Sequence, residues 1–213
     1  MAALQWYRYL KHVVAVPGWR ATSLQAQAHI FKNPSTPAYC LDMATQTLEV
    51  NGRSISLPTG LFIGGKFVKA KAGKTFGVEN PATGKEIIQV QEGLPEDVDD
   101  AVKVARKLFR SKEYEEYGAT NRAKLLHKLA DLMEENFDDL VALEMLDTGK
   151  THLQASTLDV PGSIGTLRYY AGWADKILGQ TSFDIPKVFG YTKREPVGVC
   201  GQIIPWNVGV HKC

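Results

Sequence analysis

The most constraining feature of this chain is Val197-Gly198-Val199-Cys200-Gly201-Gln202-Ile203-Ile204, which runs directly into Pro205-Trp206-Asn207. The run is near-continuously apolar rather than alternating, the pattern of a strand covered on both faces, as in a parallel sheet. A parallel strand needs parallel neighbours reached through long crossovers, yet nine residues follow Ile204. The expectation is therefore an α/β chain that starts a doubly wound sheet and does not complete it within these 213 residues. In open parallel sheets, ligands meet the chain at the carboxyl ends of strands. There Pro205 fixes the exit, Trp206 offers a flat apolar wall and Asn207 an amide donor. A capped core strand accounts for the same residues.

The preceding sequence supplies short antiparallel strands and then helices. Leu48-Glu49-Val50 and Ser54-Ile55-Ser56-Leu57 flank Asn51-Gly52, a hairpin signal. Leu61-Phe62-Ile63 and Lys66-Phe67-Val68 flank Gly64-Gly65, and a turn cluster at Asn80-Pro81-Ala82-Thr83-Gly84 separates strands at 75–79 and 86–90. Pro95-Glu96-Asp97 opens a helix with acid at the positive end of its dipole. Its buried stripe is Val98, Ala101, Val102, Ala105, Leu108 and Phe109. Thr120 is the expected N-cap of a helix over 122–135 whose apolar face is Leu125, Leu126, Leu129, Leu132 and Met133. The next helix begins at Asn136 and ends at Gly149. Pro161 is expected in the first turn of a further helix, with Ile164, Leu167, Tyr170, Ala171, Ala174 and Ile177 on its face and Gly179 as its stop. Thr181–Ile185 and Tyr191–Arg194 read as a long hairpin.

Composition narrows the function classes. With 44% hydrophobic and 23% charged residues the chain is neither fibrous nor disordered, and its net charge of +2 gives no case for nucleic acid. No run of 18 apolar residues predicts a membrane-spanning helix. Cysteines 40, 200 and 213 form neither a disulfide framework nor a CxxC pair, which fits a reducing compartment. Residues 1–41 hold Arg8, Lys11, Arg20 and Lys32 and no acid. This start reads as an extension, with Met43 a candidate initiator; its charge also suits a mitochondrial transit peptide.

Known motifs are mostly excluded. Gly149-Lys150-Thr151 and Gly73-Lys74-Thr75 resemble the end of a phosphate loop, but Glu144 and Val68 stand where its first glycine belongs. There is no GxGxxG and no clustering of the five histidines with other metal ligands. His127 reads as a residue of a solvated helix face, and Glu144 and Asp147 as a solvated acidic face. Cys200, inside the apolar run, reads as an inert small hydrophobe.

The segment Arg194–Asn207 resembles the strand entering the cofactor domain of the NAD(P)-dependent aldehyde dehydrogenase superfamily, whose pattern there is Glu-Pro-x-Gly-x-x-x-x-Ile-x-Pro-Trp-Asn. Asn80-Pro81-Ala82-Thr83-Gly84 and Asp147-Thr148-Gly149-Lys150 match two other stretches of that family in order. Leu57-Pro58-Thr59-Gly60-Leu61-Phe62-Ile63 resembles the opening of its fungal members. The likeness runs from about Leu48 to Asn207, roughly three quarters of the chain.

The resemblance implies the N-terminal part of the aldehyde dehydrogenase fold: small antiparallel strands, helices, an oligomerisation hairpin, and the first strand of an incomplete doubly wound parallel sheet. The implied division is an extension over 1–47, strands and helices over 48–180, the hairpin over 181–194 and the strand over 195–213. In that family a cysteine thiolate attacks an aldehyde carbonyl, hydride passes to NAD or NADP, and water activated by a Glu releases the acid. The resemblance gives Asn207 the role of oxyanion donor and places Ile203, Ile204, Pro205 and Trp206 along the cofactor cleft. It implies an aldehyde substrate and homo- or hetero-oligomers formed through 181–194. Charge and hydropathy give neither nucleic acid nor membrane as partner, and the expected location is the cytoplasm or, if 1–42 directs import, the mitochondrion. The family's nucleophilic Cys, general base Glu and ribose-binding residues have no counterpart here. The expectation is an inactive isolated chain, since such groups act as a unit, and a molten or chaperone-dependent one, since an unpaired apolar strand favours aggregation.

Overall fold

The computed structural model describes residues 45–183 and 186–204. Three hairpins come first. In β1 (Thr45–Val50) and β2 (Arg53–Pro58) the register pairs Leu48 with Ile55 and Val50 with Arg53. Asn51 and Gly52 both take positive φ, at 50° and 77°, as a two-residue turn matched to strand twist requires. The pairing begins at Thr45, three residues before the alternating pattern becomes visible, because a polar strand end pairs through its backbone whatever its side chains. β3 (Leu61–Ile63) and β4 (Lys66–Val68) turn on Gly64 and Gly65, with Phe62 against Phe67 at 5.0 Å between ring centroids. β5 (Thr75–Glu79) and β6 (Glu86–Gln91) are closed by Asn80, whose side chain accepts from the Ala82 N–H at 2.8 Å. The hairpins form separate two-stranded sheets, tied together by bonds such as Gln46 Nε2 to the Gln89 carbonyl at 2.8 Å.

Helix α1 (Pro95–Phe109) starts where Asp97 accepts the Leu94 N–H at 3.0 Å and the Lys71 N–H at 3.0 Å, so one buried carboxylate caps the helix and fixes the preceding loop. Helix α2 (Lys112–Glu135) is capped by Ser111, not Thr120: Ser111 Oγ accepts from the Tyr114 N–H at 3.2 Å. The break expected near Thr120 sits instead at Gly118, whose φ of 73° and ψ of 165° interrupt the helix. A glycine tolerates this kink where another residue would be strained. Helix α3 (Phe137–Thr148) begins after Asn136 and ends on left-handed Gly149, φ 73°, as its sequence indicates.

α3 is covered on two sides. Ala142, with Leu143 and Leu146, packs against Leu48, Val50, Ile55 and Leu57 of the first hairpin. Val141, with Phe137, Leu140 and Met145, packs among Ala130, Ala155, Val160 and Ile164. A helix apolar on both sides must be buried on both, which makes α3 the element joining strands to helices. Arg53 at the hairpin tip adds ion pairs to Asp138 and Asp139 in the first turn of α3.

The last helices depart from expectation. Thr151 caps a short helix, α4 (His152–Gln154), which passes through a π-turn (Ala155–Asp159) into α5 (Val160–Trp173). The helical path thus starts nine residues before Pro161. Proline's missing N–H is tolerated here because the backbone has just widened, with the Val160 N–H donating to the Ala155 carbonyl. α5 lies along α2, with Arg168 donating to Asp131 at 3.1 Å and Glu134 at 2.6 Å. It stops at Trp173, well short of Gly179, and leaves Tyr170 and Ile177 exposed rather than in the core. The expected long hairpin is reduced to β7 (Thr181–Ser182) paired with β8 (Gly190–Tyr191). Among the described residues no helix is long and apolar enough to cross a membrane.

Candidate functional site

Of the residues assigned to a site from sequence, Pro205, Trp206 and Asn207 lie outside the described residues. Residues 197–204 do not form the expected strand: apart from a single bridge residue at Gly201 the segment is irregular, with Val197 94% exposed. A strand buried on two faces is made by its neighbours, and among the described residues no parallel strand stands beside it. Ile203 is 62% exposed and Ile204 only 1%, so the two adjacent side chains meet opposite environments. Gly198, at φ 110°, passes close to the Phe109 ring at the end of α1. Cys200 is exposed rather than an inert core residue, because the strand that would have buried it is not formed; its thiol lies 3.7 Å from the Gly198 carbonyl.

The two assigned residues that are described, Ile203 and Ile204, are aliphatic: their side chains can supply an apolar wall to a dinucleotide but no hydrogen bond to its phosphates. Among the described residues a cleft of about 240 Å³ lies elsewhere, beside Arg53 and four carboxylates, Glu134, Glu135, Asp138 and Asp139, a charge balance that repels phosphate. Among the described residues no group of His, Cys, Asp and Glu is placed to hold a metal ion.

The polar cluster that the sequence did not disclose centres on Lys150. Its Nζ donates to Asp159 Oδ2 at 2.8 Å and to Glu144 Oε1 at 3.2 Å. The three side chains are 13%, 9% and 3% exposed. Glu144 is therefore not part of a solvated acidic face, and Asp147 is half-buried as well. Burial alone would lower the Lys150 pKa; the hydrogen bonds to Asp159 and Glu144 outweigh it and leave it raised. Gly149-Lys150 consequently belongs to a charge cluster inside the fold, in agreement with the exclusion of a phosphate loop. The available signal was that Glu144 follows Leu140 and Val141 by four and three residues, which places an acid on an otherwise apolar helix face. His127 is exposed, as expected.

The segment after α5 is apolar and open. Phe183 stacks on Phe189 at 5.5 Å and Phe189 on Tyr191 at 6.2 Å, and all three rings are exposed. The hairpin is held at its base by the Thr192 N–H on the Gln180 carbonyl at 2.8 Å and by Arg194 Nε on the Leu178 carbonyl at 3.2 Å.

Small antiparallel strands leading into helices, a short hairpin and then an extended apolar segment define a mixed α/β chain. Residues 67–213 match the model of the aldehyde dehydrogenase family, and the chain belongs to that family. It is 55% identical over 150 residues to an aldehyde dehydrogenase of Alternaria alternata, a match covering 70% of this chain and 30% of the relative. A solved structure of a Bacillus cereus aldehyde dehydrogenase mutant superposes with a TM-score of 0.62 at 45% identity, covering 65% of this chain and 28% of that one. The NAD+ complex of the B. cereus enzyme superposes with a TM-score of 0.61 at 38% identity, covering 78% and 31%. The chain thus spans about 30% of the length of the curated relatives it matches, and its described part is the N-terminal portion of the aldehyde dehydrogenase fold.

Proposed function

We propose that this chain carries the opening portion of an NAD(P)-dependent aldehyde dehydrogenase, whose reaction oxidises an aldehyde to a carboxylic acid, and that these 213 residues alone do not turn over. The observation that carries this reading is high identity confined to about 30% of the relatives' length. In it, Asn207 donates its side-chain amide to the oxyanion of the attacked carbonyl, and Ile203, Ile204, Pro205 and Trp206 line the dinucleotide cleft. An amide donor of this kind contributes roughly 10²–10³ in rate, but only once a nucleophile has formed the oxyanion. The chain offers no nucleophilic Cys, general base Glu or ribose-binding residues at positions matching the family's. On this reading the chain works in the cytosol, or in the mitochondrion if residues 1–42 direct import.

The test is the purified full chain with short aldehydes and either NAD+ or NADP+. No aldehyde-dependent NADH or NADPH is expected, and no saturable quenching of tryptophan emission by the dinucleotide. Reduced dinucleotide formed by the pure chain and lost in Asn207→Ala overturns the reading.

A second reading is favoured by the open aromatic hairpin: a non-catalytic partner that associates with full-length aldehyde dehydrogenase subunits through residues 181–194. Three stacked rings in solvent are costly unless covered, and a surface of this kind suits a protein interface. Co-purification with a full-length subunit supports this reading; recovery of the chain free of any such subunit speaks against it.

A further inference from the structure

Two residues of one helical path, Ala155 and Val160, are both fully buried in the same cluster, together with Ile164. They are five positions apart, a spacing that places side chains about 140° apart on a regular α-helix and so not on one face. The π-turn over 155–159 resolves the conflict. Its wider turn brings Val160 back over Ala155, after which Ile164, Leu167 and Ala171 follow at ordinary helical spacing. Without the extra residue, either Ala155 or the whole inner face of α5 would rotate off α2 and α3. A π-turn is rare and appears mostly as a single turn within an α-helix, so its presence calls for a local cause. Here Asp159, the last residue of the turn, is held by the Lys150 ammonium, which is itself fixed to α3 by Glu144.

We propose that the Glu144–Lys150–Asp159 triad is a latch that selects the π register of residues 155–159, and that loss of the Lys150 charge releases this segment toward a regular helix with α5 rotated on its neighbours. The latch is local by construction. It joins the end of α3 to the start of α5. It also does not depend on any assignment of catalytic function. Removing a cation from between two buried carboxylates strips both of its charge, so the single change is disruptive, whereas neutralising all three members together removes the conflict.

Hydrogen exchange of the full chain, read by mass spectrometry over separate peptides, tests this. Lys150→Met is expected to speed exchange across 152–163 by about tenfold or more while the peptides of β1–β6 keep their wild-type rates. Lys150→Met combined with Glu144→Gln and Asp159→Asn is expected to recover most of the protection. Wild-type exchange at 152–163 in Lys150→Met overturns the latch. So does an increase shared equally by all peptides, because that reports general unfolding rather than release of one register.

Discussion

Lys150 reaches its two carboxylates because Gly149 turns the chain first. Gly149 ends α3 in the left-handed region, and a Cβ there would stand 3.1 Å from Pro81 Cγ in the turn between β5 and β6. A side chain at this position therefore meets two penalties, backbone strain and a crowded neighbour. Gly149→Ala is expected to cost about 1–2 kcal/mol from the backbone alone, read as a lower midpoint in urea. The charge cluster beyond it also has a pH signature. Because the Lys150 pKa is raised in the folded chain, its contribution is complete below the ordinary lysine value and is lost as pH rises through the raised one. Thermal melting followed by circular dichroism should fall over that alkaline window, and Lys150→Arg, which keeps its charge there, should flatten the fall. An alkaline fall of the same size in Lys150→Arg would mean that the charge at 150 does not matter.

At the scale of elements, α3 and the first hairpin stand or fall together. Ile55 is 2% exposed between them, and Ile55→Ala is expected to destabilise by about 2–5 kcal/mol and to speed exchange in β1, β2 and α3 jointly. Loss confined to the hairpin would show that the two do not form one unit. These elements were legible in the sequence because their determinants are local: Asn51-Gly52 and Gly64-Gly65 specify their own turns, and Gly149 its own cap. The rest depended on partners distant in sequence or on backbone geometry without a residue signature. Ser111 outcompeted Thr120 as a cap because the chain kinks at Gly118. The π-turn answered a packing conflict between Ala155 and Val160 that no single residue announces. Residues 197–204 read as a strand on apolarity alone, yet strand pairing is a property of the neighbours, and among the described residues no strand pairs with them. Of the candidate site, the resemblance supplied the residues, two of which the structure describes; the Lys150 cluster, built from three positions 6 and 9 residues apart, came from the fold.

For the whole molecule, the distribution of apolar surface matters more than the core. Tyr169, Tyr170 and Trp173 on α5 continue into Leu178, Phe183, Phe189 and Tyr191, all exposed. A monomer rarely leaves so much aromatic surface in water, and stretches of this kind are covered by another protein surface or associate with themselves. The hairpin's shape depends on Gly179, where a Cβ would overlap the Thr192 carbonyl, so Gly179→Ala should open its base without touching the α2–α5 packing. Two variants then separate surface from shape. Phe183→Ser with Phe189→Ser removes the apolar face and leaves the backbone bonds of the hairpin in place. Gly179→Ala keeps the rings and disturbs their presentation. If residues 181–194 form the contact, both should weaken association of the full chain with itself or with full-length subunits, measured by sedimentation velocity, with far-ultraviolet circular dichroism unchanged. Should only the serine variant matter, the association is unspecific stickiness of exposed rings. If neither matters, the contact lies on the α5 face, and Tyr169→Ser with Trp173→Ser becomes the decisive pair.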